Sequence, residues 1–286
     1  MEPYRVIDAH VHFWDPSALQ YPWLDGIPAL HRAFLPADLG ALCQGALHGV
    51  VFVEANCLTT ESIAECDFVD QLADIEPRII GTVAFVDLLD ARGRRDRLAA
   101  LKHRARVVGV RHNIQRQPPG FSLQPEFIRG VREVGAHGLT FDVCITADQL
   151  PDVTELVRRC PGTSFVLDHC GKPAISADAF DPWSTALSRL AENTNVACKL
   201  SGLCSEARPE QRDDGIVRYA RHAMHCFGAA RLIYGSDWPV VTTAGGERAW
   251  FALVERFVAD WTAEERQGFF ADNAIRLYGL PQGTHR

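Results

Sequence analysis

Two histidines separated by one residue, His10 and His12, lie in an apolar, β-branched stretch at residues 5–13. On an extended chain alternate side chains share a face, so Asp8, His10 and His12 are expected on one side and Ile7, Ala9, Val11 and Phe13 on the other. Residues two apart on a strand have Cα atoms roughly 6.5–7 Å apart, close enough for two imidazoles to meet on one metal ion or one water. A lone His-x-His is a weak signal. What gives it weight is that other apolar segments also end in chemically capable residues. Glu54 ends the segment at 49–54, Arg111 and His112 end 107–112, Asp168 and His169 end 164–169, and Ser236 and Asp237 end 232–237. Lys199 sits near the end of 196–201, and Asp142 near the middle of 140–145.

Parity orients several of these groups. Ala197, Lys199 and Ser201 share one face, and Ile233, Gly235 and Asp237 share another, so Lys199 and Asp237 are expected to point inward with small neighbours below them. For Arg111 and His112, alternation allows either to face inward, unless both reach the rim. Two histidines, a third histidine and an aspartate at one mouth suit hydrolysis. Asp237 would act as general base on a water, and a cation or histidine would steady the oxyanion. A divalent ion could hold that water, or Asp237 and His169 could activate it without one while Lys199 and Arg111 supply positive charge. The residue types leave both versions open.

The elements that must position these groups alternate regularly. Strand-like segments at 5–13, 49–54, 79–86, 107–112, 140–145, 164–169, 196–201 and 232–237 are separated by stretches of helical periodicity at 61–75, 94–104, 125–137, 151–160, 182–193, 211–227 and 246–260. Pro125 and Pro182 suit first-turn positions, and Gly138 and Gly162 fall where helices should stop. Eight strands alternating with helices predict parallel pairing in a closed (β/α)8 barrel, whose active site lies at the C-terminal ends of the strands. The competing doubly wound sheet lacks its Gly-x-Gly-x-x-Gly after the first strand. One more helix is expected at 264–278, and the whole of 1–286 reads as one domain. A loop at 14–36, rich in aromatics and proline, is of the kind that carries function, and its rings equally suit a small satellite core beneath it.

A net charge of −7 with scattered basic residues argues against nucleic acid or an anionic membrane as partner, leaving small molecules. No apolar run reaches membrane-helix length and the N-terminus carries no signal-like segment, so a cytoplasmic location is expected. The nine cysteines, among them Cys43, Cys144, Cys198 and Cys226, sit singly in apolar segments, and most read as small buried hydrophobes.

Taken together, the His10-x-His12 strand, the 167–173 stretch with its Asp-His-x-Gly-Lys-Pro motif, the 198–203 segment Cys-Lys-Leu-Ser-Gly-Leu and the 235–240 segment Gly-Ser-Asp-Trp-Pro-Val resemble the amidohydrolase superfamily. The resemblance runs the length of the chain and is narrowest to the lactonase branch, which holds L-fucono-, L-rhamnono- and 2-pyrone-4,6-dicarboxylate lactonases. It implies an amidohydrolase-like (β/α)8 barrel that opens a sugar lactone. Asp237 would be the base, and His10, His12 and Asp237 the ligands of a single divalent ion, zinc by preference. His169 would lie beside the water or carbonyl. Arg111, His112 and Lys199 would contact the carbonyl or substrate polar groups, with Glu54 and Asp142 among the polar groups lining the site. Trp14, Trp23 and Trp238 would wall the pocket for a sugar ring. The binuclear members' bridging carboxylate on strand four and histidine on strand five are replaced here by Arg111-His112 and Asp142, so a two-metal centre is not expected. Some members of the branch work without a metal, which leaves the ion open.

The leading expectation is therefore a hydrolase acting on an aldono-1,4- or 1,5-lactone such as L-fucono- or L-rhamnono-lactone, as a monomer or homodimer. The alternative is a metal-dependent hydrolase or decarboxylase acting on another cyclic carboxylic acid. A noncatalytic binding protein on the same barrel is a third reading, and it requires Asp237 to be dispensable.

Overall fold

The structure, a computed structural model, describes residues 4–39, 47–212 and 214–281; Cys43 lies outside the described residues. Eight parallel strands, β1 (Val6–Val11), β2 (Leu47–Val53), β3 (Ile79–Phe85), β4 (Val107–Arg111), β5 (Thr140–Val143), β6 (Phe165–Leu167), β7 (Val196–Leu200) and β8 (Leu232–Tyr234), pair in chain order. The ring closes just beyond β8, where the Asp237 amide donates to His10 O (3.0 Å) and the His12 amide to Trp238 O (2.8 Å). This is the expected (β/α)8 barrel.

Helices α1 (Ser62–Ile75), α2 (Ala91–Lys102), α3 (Pro125–Ala136), α4 (Leu150–Arg159), α5 (Phe180–Ala191), a short turn α6 (Leu203–Glu206), α7 (Asp214–Phe227) and α8 (Glu247–Phe257) cover the outside. Helix α3 shows why they form. Pro125 opens it, Phe127, Ile128, Val131 and Val134 make one buried stripe, and Gly138 follows its end in the left-handed conformation (φ 74°). The expected closing helix is α9 (Ala263–Gln267) and α10 (Asn273–Tyr278) joined through a π turn over Gly268–Asp272. The Asn273 amide nitrogen donates to Ala229 O and Leu232 O and ties this element under β8. Ala271, Ala274, Tyr278 and Leu280 then pack against Ile7, Val51, Val83, Val166 and Ile233, plugging the N-terminal end of the barrel.

That interior cluster corrects one expectation. Simple alternation puts Ile7 and Ala9 opposite His10, yet both pack inside the barrel, whereas Val11 and Phe13 pack outward. The pairing of β1 with β2 shifts register between Asp8 and Val11, and this irregularity changes the phase of alternation before His10. Asp8 is separated from the histidines by it. Its carboxylate accepts from the amides of His10 and Ser236 and is fully buried. Strands β6 and β8 are also shorter than their apolar runs, so Asp168, His169 and Asp237 stand on the loops just after the strands.

Candidate active site

At the C-terminal end of the barrel the loops enclose a cavity of about 610 Å³. On its floor three imidazoles converge on one carboxylate. The Nε2 atoms of His10, His12 and His169 lie 3.7, 3.5 and 3.9 Å from Asp237 Oδ1, and the first two are 3.2 Å from one another. Each ring is held from behind at Nδ1: His12 by Val53 O at 2.7 Å, His169 by Ser201 Oγ at 2.9 Å, and His10 by Asp168 Oδ1 at 3.2 Å. A carbonyl oxygen only accepts, so His12 carries a proton on Nδ1 and turns its Nε2 toward His10 and Asp237.

Two glycines make room for this packing. A Cβ on Gly235 would come within 2.9 Å of His10 Cβ, and one on Gly202 within 2.5 Å of His169 Nδ1. His169, Cys170, Gly171 and Lys172 form a left-handed turn, with φ of 54°, 52°, 70° and 46°. Among the described residues seven non-glycine positions have positive φ, and five of them, Asn56, Arg116, His169, Lys172 and Asp237, line the cavity. Each costs about 1–2 kcal/mol, a cost that proteins tend to retain where a side chain must be aimed.

Below the floor lies a chain of buried charges. Lys199 Nζ is 2.6 Å from Asp142 Oδ2 and 3.0 Å from Asp168 Oδ1, and Tyr278 O–H donates to Asp142 from the plug beneath. Arg111 donates to Glu54 Oε1 (2.6 Å) and Glu54 O, and approaches Asp168 Oδ2 at 3.3 Å. Burial opposes ionisation of Asp168, but Lys199, His10 and Arg111 outweigh it and hold its carboxyl well below the usual range. Burial pushes the pKa of His169 down to about 4 and that of His10 well below its ordinary value, so both rings are neutral near pH 7. Burial also opposes ionisation of Asp237, yet contact with His169, His12 and His10 keeps it ionised far below the normal carboxylate range.

Of the residues singled out from sequence, His12, Trp23, Arg111, His169 and Asp237 line the cavity, and His10 supports them from the floor. Arg111 is the inward member of its pair. His112, expected in the site, instead faces α3: its ring packs against Phe85, Phe121 and Phe127, and its Nδ1 accepts from the Leu88 amide. Lys199 and Asp142 do point into the barrel, but one layer too low, fully buried and bonded to one another. Glu54 is consumed by Arg111 and the Asn56 amide. Trp14 and Trp238 lie behind the wall rather than on it. Trp14 donates to Arg32 O and meets Trp23 edge-on, while Trp238 packs between Phe13 and Phe34. The cavity is completed by Asn113, Gln115 and Arg116 from the loop after β4, a segment where substrate-selecting side chains are expected from the sequence, and by Asn56, Cys144 and Lys172, which were not among the candidate site residues.

The donor set fits a metal ion. His10, His12 and Asp237 bring their ligand atoms within 4.8 Å of one another. Two imidazole nitrogens 3.2 Å apart match the spacing of roughly 3.3 Å between ligands in a tetrahedral zinc site. Their rear contacts to Val53 O and Asp168 are of the kind that orient metal-bound histidines.

A barrel with paired β1 histidines and a histidine after β6 gathered around an aspartate after β8 defines a hydrolase of the amidohydrolase type. The chain belongs to the amidohydrolase family, whose model matches residues 7–280. It is 35% identical over 293 residues to an L-fucono-1,5-lactonase of Burkholderia multivorans, covering 96% of each chain. It is 33% identical to an L-fucono-1,5-lactonase of Burkholderia ambifaria, covering 96% of this chain and 95% of the relative. The crystal structure of an amidohydrolase from Burkholderia multivorans with bound zinc is similar at a TM-score of 0.86 and 33% identity, covering 97% of this chain and 100% of that one.

Proposed function

We propose that the protein hydrolyses a sugar lactone, an aldono-1,4- or 1,5-lactone of the L-fucono or L-rhamnono kind, with Asp237 as general base. The observation that carries this reading is the convergence of His10, His12 and His169 on Asp237 Oδ1 in a cavity of sugar size, in a chain about one third identical to L-fucono-1,5-lactonases. Asp237 takes a proton from a water whose oxygen adds to the lactone carbonyl carbon. The acyl bond to the ring oxygen then breaks, and the proton held by Asp237 passes to that oxygen, leaving a hydroxy acid. His169, neutral near pH 7, and His12 orient the water, and Trp23 offers a face for the sugar ring. His10, His12 and Asp237 would hold a zinc ion, which when bound acidifies water and polarises a carbonyl.

The test is a pH-indicator assay of purified protein on fucono-, galactono-, rhamnono- and arabinono-lactones in both ring sizes. Rapid acid release from one stereochemical series supports the reading. Inactivity on all of them overturns it.

A further inference from the structure

We propose, resting on the lactone-hydrolase reading of the same site, that Lys172 is a catalytic residue whose ammonium donates to the oxyanion that forms on the substrate carbonyl oxygen. The other cations near the site are committed elsewhere. Lys199 is sealed between Asp142 and Asp168, and the Arg111 guanidinium is bonded to Glu54 and approaches Asp168. Arg116 stands exposed at the rim. Lys172 lines the cavity together with Asp237 and His169, and its Nζ donates to a neutral partner, Gln115 Oε1, at 2.6 Å. Among the described residues it has no carboxylate within ion-pair distance, so two N–H groups remain for a ligand.

Its backbone is the second observation. Lys172 ends the left-handed turn that begins at His169, at φ 46°, where glycine would be unstrained. A lysine kept in that conformation three residues after His169 is aimed at the same space as the imidazole. Burial alone would favour the free amine, but the nearby carboxylates of Asp237 and Glu206 favour the ammonium. As water oxygen bonds to the carbonyl carbon, the carbonyl π electrons move onto oxygen, and Lys172 hydrogen-bonds that oxygen without giving up its proton. The electrons return when the bond to the ring oxygen breaks.

The experiment compares wild type, Lys172→Gly and Lys172→Arg on the lactone that wild type hydrolyses best, with thermal melts of each. Glycine suits the backbone, so Lys172→Gly should keep its Tm. Its kcat should fall about 10²-fold or more while KM stays within about threefold. Added propylammonium should raise the kcat of Lys172→Gly saturably, and Lys172→Arg should regain at least about tenfold over it. A raised KM with unchanged kcat would mean that Lys172 holds a ground-state substituent and would overturn the proposal. So would a loss that neither propylammonium nor arginine restores, or no loss at all. Wild-type inactivity on every lactone is a different outcome and overturns the functional reading itself.

Discussion

His12 and Asp237 face one another across the seam of the barrel, Nε2 to Oδ1 at 3.5 Å, and the same two residues supply the amides that close it. The bond from the Asp237 amide to His10 O and that from the His12 amide to Trp238 O fix the relative height of β1 and the chain after β8. Barrel closure and site geometry are therefore one constraint. A change that slips the seam by one residue would separate the base from the imidazoles.

The same site should hold zinc. With three groups able to present ligand atoms at the spacing found here, purified protein dialysed against zinc is expected to retain about one ion per chain, and His12→Ala much less. Elemental analysis together with a melt of both proteins checks this. Equal zinc in the two would remove His12 from the ligand set.

Beneath the floor, Lys199 bridges two buried carboxylates, Asp142 and Asp168. Lys199→Met leaves Asp142 and Asp168 facing one another in the barrel, and the expected loss of stability is about 3–5 kcal/mol, read by urea denaturation. A variant as stable as wild type would show that this network contributes little.

His112 separates structural from catalytic roles. In His112→Phe the Leu88 amide loses its acceptor, so the protein should lose about 1–3 kcal/mol. Because the ring faces α3 and not the cavity, kcat measured well below Tm should stay within about threefold of wild type. A large fall in kcat for the folded variant would restore His112 to the site.

Glu65 gives a pH dependence. It is buried, accepts from the Ala55 amide, and is pushed up to about 8 by burial and then by Glu54. Between the unfolded value near 4.5 and about 8 the folded protein keeps a proton that the unfolded chain has lost. This contribution is thus fully present below pH 4.5 and declines, by of order 1 kcal/mol per pH unit, as pH rises toward 8. Glu65→Gln mimics the protonated form and should flatten that decline and raise Tm at pH 8. An unchanged Tm–pH curve would contradict it.

Much of this architecture was legible in the chain. Eight apolar segments alternating with helical periodicity specify a parallel barrel, and polar residues at segment ends mark its mouth, because a strand interior buried on both sides has little room for them. Parity placed Lys199 inward, and placed Asp237 with the histidines. What alternation does not carry is height and irregularity. It gave no warning of the register shift after Asp8, and it did not show that Lys199 and Asp142 would satisfy one another a layer below the cavity. For Arg111 and His112 it left the inward member open, which is decided by the nest of Phe85, Phe121 and Phe127 that takes the His112 ring. Lys172 was visible in the Asp-His-x-Gly-Lys-Pro motif, but it lies past the strand end on a left-handed turn, where strand parity has no meaning.

The most direct test of the account is Asp237→Asn, which keeps the shape of the side chain and removes the base. The expected result is a wild-type melt with kcat on the preferred lactone lowered by about 10²–10⁴-fold. A folded Asp237→Asn protein that turns over at the wild-type rate would contradict the assignment of Asp237, and with it the hydrolytic mechanism proposed for this barrel.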